Sequence, residues 1–509
     1  MSESSTIFYR FRSAEALLGK YDELARREIY FASPDELNDP LEGYADVLWH
    51  GDAILWTSLL RHYLLVLTHA VTMAALTGAD FNPEFLSAVA ESTDEDLPEG
   101  PVREIYAEIC SKFLAADLPV RWIATLTDRD LAFSREELAG FLLLLHPLAL
   151  HVVLRAFDAA DMPTPLSSID FTSGFGAMVD QFSAWLHLYD EAPETRIELH
   201  SIAESNFLQM ELLRGLGTLA DPRKKGWLFL LTDFPGAYVQ AIEALLYPEW
   251  RTACFVTDPC HASMWGVYAD SHKGVCLALR SQPDSAGRAT LRLHGYAGRA
   301  YSSDGEKPIF QDVAMTFNAV RYANDYPPTD FFRSLGSLSR SKLDGFWYSD
   351  GAGTRSVRTL DILAEDETWR RGYWARNAEI VSTKLRQWEH EEEHRLVTYG
   401  PRRDLSEKKY FYRLEDLEGV IFGIKTSQEH KLAIIRSLAA SVAREGVGAD
   451  TIQFSQAAFS RAKGCIEMRP LSLLTSQFSK LVAACADIPE VRPDLDLSAL
   501  QVGHPVDLS

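Results

Sequence analysis

The chain has 509 residues, of which 47% are hydrophobic and 24% charged. These are globular proportions that exclude wholesale disorder, collagen-like repeats and a continuous coiled coil. Lysine plus arginine number 50 against 72 acidic residues, a formal charge of −22, so bulk coating of nucleic acid is excluded; the length predicts two or three folding units.

Thr6–Arg12 is a short β-prone run, Ala14–Arg27 spaces Leu17, Leu18, Tyr21 and Leu24 as in a helix, and Glu28–Ala32 returns to strand character. Ser33-Pro34 and Asn38-Asp39-Pro40 supply turn chemistry. Residues 51–249 change texture: rich in Leu, Ala and Glu, they read as helices broken near Asn82-Pro83, Pro98–Pro101, Pro163–Pro165 and Asp221-Pro222. This stretch carries 12 basic and 29 acidic residues, 12 − 29 = −17, most of the net charge. It predicts an acidic, all-helical insertion with a surface on offer to a protein partner. Its most apolar runs, Ile54–Leu76 and Phe141–Leu154, contain Arg61, His62 and His69 in one and Pro147 with two histidines in the other. Bilayer spans need ~20 apolar residues with few charges, so both read as core helices, with no membrane segment expected.

After Trp250, strands are predicted over Thr252–Thr257, Gly274–Leu279, Leu291–Tyr301, Ile380–Lys384, His394–Tyr399 and Gly419–Ile424. A helical passage is expected around Ile309–Ala323, a Gly/Ser-rich separator over Ser334–Arg355, and an amphipathic helix over Ser427–Arg444. The expected fold is α+β: a mixed sheet core assembled from residues 1–50 and 250–425, with the helical insertion 51–249 between them. Residues 426–485 append a helix and a strand, and 486–509 form a loosely ordered tail rich in proline. The six cysteines contain no CxxC pair, and the start Met1–Thr6 has neither the basic segment nor the apolar core of a secretion signal. The expectation is therefore a cytoplasmic protein with reduced thiols.

There is no GxxxxGK[ST], no GxGxxG after a strand, no HExxH and no GxSxG. Four clusters carry the chemistry that remains. On Phe8–Arg12, alternation places Tyr9 with Phe11 on one face and Arg10 with Arg12 on the other, where guanidinium groups suit a phosphate. Ser33–Glu42 is a rigid turn that can aim Asn38, Asp39 or Glu42 at a pocket. In Met264–Cys276, Trp265 and Tyr268 are three apart on a short helix, and His272 and Lys273 sit at the turn before Gly274. In Lys384–Tyr399, a strand would align Glu391, Glu393 and Arg395 on one face, and two carboxylates that close need a cation between them.

In this order the clusters resemble a bacterial family known as domain of unknown function 2971. Its pattern is matched by Tyr9–Arg12, Ser33–Glu42, Ala253-Cys254-Phe255, Met264–Leu277, Trp388–Arg395 and Gly419–Gly423, about 260 of the 509 residues. The roughly 200-residue helical insertion departs from that pattern. A weaker resemblance is to ADP-ribosyltransferase folds, in the order Arg10, Tyr268, Glu391-x-Glu393. It implies NAD as substrate, Glu393 stabilising an oxocarbenium-like state, Glu391 activating an acceptor and Tyr268 or Trp265 stacking on nicotinamide. Either Arg10 or Arg12 would hold phosphate or ribose, with Tyr9, Asn38, Asp39, Glu42, His272, Lys384 and Arg395 completing the pocket. Such an enzyme would be a transferase or glycohydrolase, as in toxins and phage-defence effectors. Two alternatives stand beside it: a non-catalytic sensor for a nucleotide-like ligand, and a hydrolase or nuclease whose Asp39, Glu42, Glu391 and Glu393 gather Mg²⁺ or Mn²⁺.

Overall fold

The structure is a computed structural model. It describes residues 5–486 apart from 20, 129–131, 163, 167–183, 185–204, 206–207, 210, 214, 220, 303–304, 365–366, 403, 447 and 449–450. The tail expected over 486–509 lies outside the described residues from 487 onward, and so does the Pro163 break. The fold is α+β, with seventeen strands among the described residues. In chain order they are β1 (Ile7–Arg12), β2 (Glu28–Tyr30), β3 (Asp46–Leu48), β4 (Trp250–Val256), β5 (Val275–Arg280) and β6 (Gln282–Pro283). There follow β7 (Ala289–Ser302), β8 (Gly305–Thr316), β9 (Asn318–Ala319), β10 (Arg321–Ala323), β11 (Pro328–Asp330) and β12 (Thr383–Leu385). The last five are β13 (Glu393–Tyr399), β14 (Lys409–Tyr412), β15 (Leu417–Phe422), β16 (Gln453–Ser460) and β17 (Cys465–Pro470).

The chain divides into two units. The sheet unit comprises residues 1–43, 250–325 and 381–509. Its main sheet has the order β17-β16-β15-β5-β1-β4-β13-β9, which puts β1, the first strand of the chain, near the middle. Phe8, Leu277, Leu279, Leu396, Val420 and Phe454 fill its core, with the helix Gln428–Glu445 packed through Ile434 and Leu438. Ser427 caps that helix by accepting from the His430 N–H, the usual remedy for the unpaired first-turn donors. A second sheet runs β2-β14-β7-β6, and β8 pairs with β7.

The helical unit comprises residues 44–249 and 326–380. Its longest helices, Ala53–Thr77 and Arg135–Ala159, are long and apolar enough to cross a membrane by length and composition, yet 61% of each apolar window is buried inside the fold. Buried histidines fix their packing. His62 Nδ1 lies 2.9 Å from the Tyr238 hydroxyl and Nε2 3.0 Å from the Ala90 carbonyl; His146 Nδ1 lies 2.7 Å from the Tyr63 hydroxyl and Nε2 2.5 Å from the Leu230 carbonyl. In each ring the Nε2–H donates to a carbonyl, and burial favours the neutral imidazole.

Several boundaries differ from the sequence expectation. The helical unit begins at residue 44 rather than 51 and also takes residues 326–380, which had been assigned to the 250–425 core. The reason is apolar: Phe331, Phe332, Leu335, Phe346 and Trp347 are buried with Trp49, Trp56 and Leu60 in one cluster. Nor is it purely helical, since β3 and β11 pair in parallel. The passage 309–323 is not a helix: β8 pairs with β7 from Thr316 to Gly305, and Met315 and Phe317 alternate into the core. Ala14–Arg27 forms two short helices separated at Gly19, and the helix Glu367–Val381 consumes the start of the strand expected at Ile380. Among the described residues, 426–486 contribute two helices and two strands, with β16 extending the main sheet parallel to β15.

Burial brings both His62 and His146 down to about 4. Because the folded values lie below the ordinary 6.5, the unfolded chain binds more protons between pH 6.5 and 4. The stabilising effect of neutral histidine is complete above pH 6.5 and is lost as pH falls toward 4. The unfolding free energy of wild type, followed by denaturant titration, should therefore drop across that window by up to about 2.7 kcal/mol per pH unit if both protons are taken up. His146→Gln should flatten the slope by about half, whatever its effect on absolute stability.

Candidate functional site

Within the sheet unit, β1, β4 and the turn after β2 enclose a cavity of about 350 Å³. β1 supplies Tyr9, Arg10, Phe11 and Arg12; the segment after it supplies Tyr30, Glu36, Leu37, Asn38 and Glu42. β4 lines it from Thr252 to Val256, and Met264, Tyr268, Lys384, Glu391 and Glu393 complete the wall.

One side of the wall is a buried ion cluster. Lys384 Nζ lies 2.7 Å from Glu391 Oε2, 3.3 Å from Glu393 Oε2 and 3.8 Å from Glu42 Oε2, and sits 4.7 Å from the centre of the Trp388 ring. Arg395 donates from Nε to Glu393 Oε1 at 2.7 Å and from Nη2 to Oε2 at 3.2 Å. Its Nη1 donates to the Val381 carbonyl at 2.8 Å and lies 2.7 Å from Glu42 Oε1. That last contact is electrostatic, since neither Glu42 oxygen has an aligned donor. Three carboxylates and two cations leave a net charge of −1, and all five side chains are buried.

The charges set one another's titration. Burial pushes the Glu393 carboxyl up, but Arg395 and Lys384 outweigh it and bring it to about 2. For Glu42 burial outweighs Arg395 and Lys384 and raises the carboxyl from its ordinary value. Burial pushes Lys384 down, and Glu393 with Glu391 more than reverse this, so it stays protonated.

At the cavity edge of this cluster the Tyr268 hydroxyl donates to Glu391 Oε1 at 2.5 Å and accepts from Asn38 Nδ2 at 2.8 Å. Burial, then the negative Glu391, raises the Tyr268 phenol well beyond its ordinary value. The polar path therefore runs Asn38–Tyr268–Glu391–Lys384–Glu393–Arg395. Tyr268 closes the helix Ala262–Val267, and the next turn is unusual: Asp270, Ser271 and His272 have φ of 45°, 53° and 71°. Left-handed backbone costs roughly 1–2 kcal/mol per L-residue, and strain of this kind gathers at functional sites. The turn ends at Gly274, where a Cβ would lie 2.2 Å from the Arg12 carbonyl, so β5 can start only with glycine there.

Arg10 and Arg12 differ in availability. Arg12 is clamped by Glu23, Nε donating to Oε2 at 2.7 Å. Arg10 is buried, lies 5.8 Å from the Phe255 ring centre, and has only one long bond, from Nη2 to the Tyr30 carbonyl at 3.4 Å. Its Nη1 has no partner. Burial, reinforced by Arg12, lowers the guanidinium to about 10.

Of the sequence-derived candidates, Tyr9, Arg10, Arg12, Asn38, Glu42, Tyr268, Lys384, Glu391 and Glu393 line one cavity. Arg395 stands behind it, bonded to Glu393. Three fall outside. Asp39 is buried and accepts from the Leu41 N–H, which shapes the turn. Trp265 does not share the Tyr268 face: it is fully buried against Phe11, with Nε1 donating to the Pro259 carbonyl. His272 holds the turn through its main chain, donating to the Trp265 carbonyl and accepting from the Lys425 N–H. Glu391 reaches the acid layer not by strand alternation but from the 3₁₀ turn Arg386–Glu391, with Glu392 left-handed before β13 begins. Sequence reasoning missed Tyr30, Glu36 and Met264. The signal available for the first two was the Ser33…Glu36 capping box, whose glutamate accepts from Tyr30 at 2.6 Å.

Among the described residues no group of three or more His, Cys, Asp or Glu is placed to hold a metal ion. Glu42, Glu391 and Glu393 do converge, but on Lys384 Nζ, which occupies the place a cation would take. No family model, curated protein or solved structure matches the chain.

Removing one partner of a buried pair leaves an uncompensated charge, at a typical cost of about 3–5 kcal/mol. Arg395→Met should therefore destabilise the sheet unit by that order in urea unfolding, whereas Tyr268→Phe, which deletes the hydrogen bonds to Glu391 and from Asn38, should cost about 2 kcal/mol. Glu393 adds a pH signature: its folded value lies below the ordinary one, so its stabilisation is present above pH ~4.5 and disappears as pH falls toward about 2.

Proposed function

We propose that the sheet unit binds an anionic, nucleotide-like small molecule in this cavity, with the anion on Arg10. The observation that carries this reading is the buried guanidinium with an unpartnered Nη1 in the cavity wall. A buried cation without a counter-charge is costly, and a phosphate or carboxylate oxygen supplies both the charge and the acceptor. Tyr9, Tyr30 and Phe255 give the same cavity apolar surface for a ring, and Asn38 gives it polar edges. All six cysteines are free thiols, in keeping with a protein working in the reducing cytoplasm.

A catalytic form of this proposal, NAD consumption by a transferase- or glycohydrolase-like effector, is favoured by one feature: the cluster bordering the cavity has an excess negative charge, and Glu391 carries it toward the Tyr268 edge. Developing positive charge on a ribose would be stabilised there. Within this reading the carboxylate is Glu391 rather than Glu393, because Glu393 is already engaged by Arg395 through both oxygens.

Calorimetric titration with inorganic phosphate and 5′-mononucleotides tests the binding proposal. Arg10→Gln should weaken binding at least tenfold with little change in fold, and undiminished affinity in that variant would refute the assignment. Incubation of wild type with NAD, following nicotinamide release with and without EDTA, tests the catalytic form. If turnover occurs, it should survive EDTA, and Glu391→Gln should lower it by ~10²–10³-fold with a smaller change in KM. Absence of turnover in wild type removes the catalytic form and leaves the binding proposal standing.

A further inference from the structure

The cavity lies where the main sheet is broken. β1 is joined to β5 by six consecutive residue pairs, from Ile7↔Arg280 to Arg12↔Val275, but to β4 by one, Tyr9↔Val256. Which main-chain groups are left over follows from strand periodicity. Thr252 exchanges both hydrogen bonds with Ala32, its N–H donating at 2.8 Å and its carbonyl accepting at 2.9 Å. The N–H and C=O of Thr252 therefore point away from β13, and with a period of two so do those of Cys254 and Val256. The other side agrees: the Glu393 carbonyl, opposite Val256, is turned away from β4 to accept from Val320. On β1, the Thr6 carbonyl accepts from Ser281 in the ladder with β5, so Phe8, Arg10 and Arg12 face β5 while Tyr9 and Phe11 face β4. Val256 meets Tyr9 and Thr252 meets Ala32. Cys254 falls between those two contacts and Phe11 lies across from it, with no bridge joining them and both lining the cavity.

We propose that this break is a recognition slot for an amide-type group, in which the main-chain N–H and C=O of Cys254 and Phe11 pair with a donor and an acceptor carried by the ligand. The inference rests on the anion-binding reading of the same cavity and adds the chemistry of the ligand's other end. A buried main-chain donor or acceptor without a partner is unfavourable, and an amide provides one N–H and one C=O in a plane, as the missing strand residue would. A lactam nucleobase and a carboxamide share that chemistry. A site that bonds such a group discriminates strongly against an analogue that lacks it, because its own polar groups are then left unpaired.

Two measurements on the full chain test this. Single-residue hydrogen exchange without ligand should show the Phe11 and Cys254 amides exchanging at least tenfold faster than those of Arg10 and Phe255, their neighbours held in ladders; equal protection would mean that the slot is closed and would overturn the proposal. Binding of IMP is then compared with purine riboside 5′-monophosphate, and nicotinamide mononucleotide with its pyridine analogue lacking the carboxamide. The amide-bearing member of at least one pair should bind at least tenfold more tightly and slow exchange at both amides, and the pair that does so identifies lactam or carboxamide. Equal affinity within both pairs overturns the slot while the anion site on Arg10 survives. Failure of all four, and of inorganic phosphate, to bind overturns both.

Discussion

The sheet unit depends on one electrostatic knot. Glu42 comes from the start of the chain, and Lys384, Glu391, Glu393 and Arg395 from more than 300 residues later, yet each carboxylate lies within 4 Å of Lys384 or Arg395 in buried surroundings. Such clusters add little net stability compared with apolar packing of the same volume, because desolvating each ion is expensive. What they supply is selectivity: any arrangement that fails to bring Glu42 to Arg395 and Lys384 leaves buried charge uncompensated. The knot thus ties the first segment of the sheet unit to its last, across the insertion of the helical unit.

The same pairing decides what each carboxylate can do. Glu393, held through both oxygens by Arg395 and with Oε2 also on Lys384, acts as the anchor of two cations. Glu391 has one oxygen on Lys384 and the other on Tyr268, so a ligand can compete for it at the cost of one charge-assisted hydrogen bond. Lys384 fills the focus of three acids, the place a cation would take in the metal-binding reading of the sequence.

Much of this was legible in sequence because the chemistry-bearing clusters are short and local. The alternation of Tyr9–Arg12, the turn at Asn38-Asp39-Pro40 and the acid run around Glu391 each pointed to groups that do line one cavity. What stayed hidden was set by contacts between distant segments. Whether Arg10 or Arg12 is available depends on Glu23, which clamps only Arg12. Trp265 and Tyr268 diverge because Phe11 supplies an apolar partner for the first and Glu391 a polar one for the second. The domain boundary was misplaced for a similar reason: Ser334–Arg355 looks like a Gly/Ser-rich separator, and only the burial of Leu335, Phe346 and Trp347 in one cluster with Trp49 and Trp56 shows that they belong to the helical core. β8 illustrates the limit of periodicity, since Ile309, Val313 and Phe317 fit a helical spacing as well as a strand whose partner, β7, was itself foreseen.

The break in the sheet follows from competition for one edge of β4. Two separate segments claim that edge: β1, through Tyr9 opposite Val256, and the residues after β2, through Ala32 opposite Thr252. β1 is held to β5 along its whole length, the segment after β2 is held by the Phe31 and Lys408 main chain and by Glu36 on Ser33, and no bridge from either reaches Cys254. The open position between them is therefore a consequence of topology rather than of a missing side chain. It lines the same cavity as Arg10, whose Nη1 has no hydrogen-bond partner, and as Glu391 and Tyr268 at the edge of the ion cluster. An unbridged main-chain position and an unpartnered guanidinium thus border a single cavity, and on the proposed reading one small molecule carrying an anion and an amide would satisfy both.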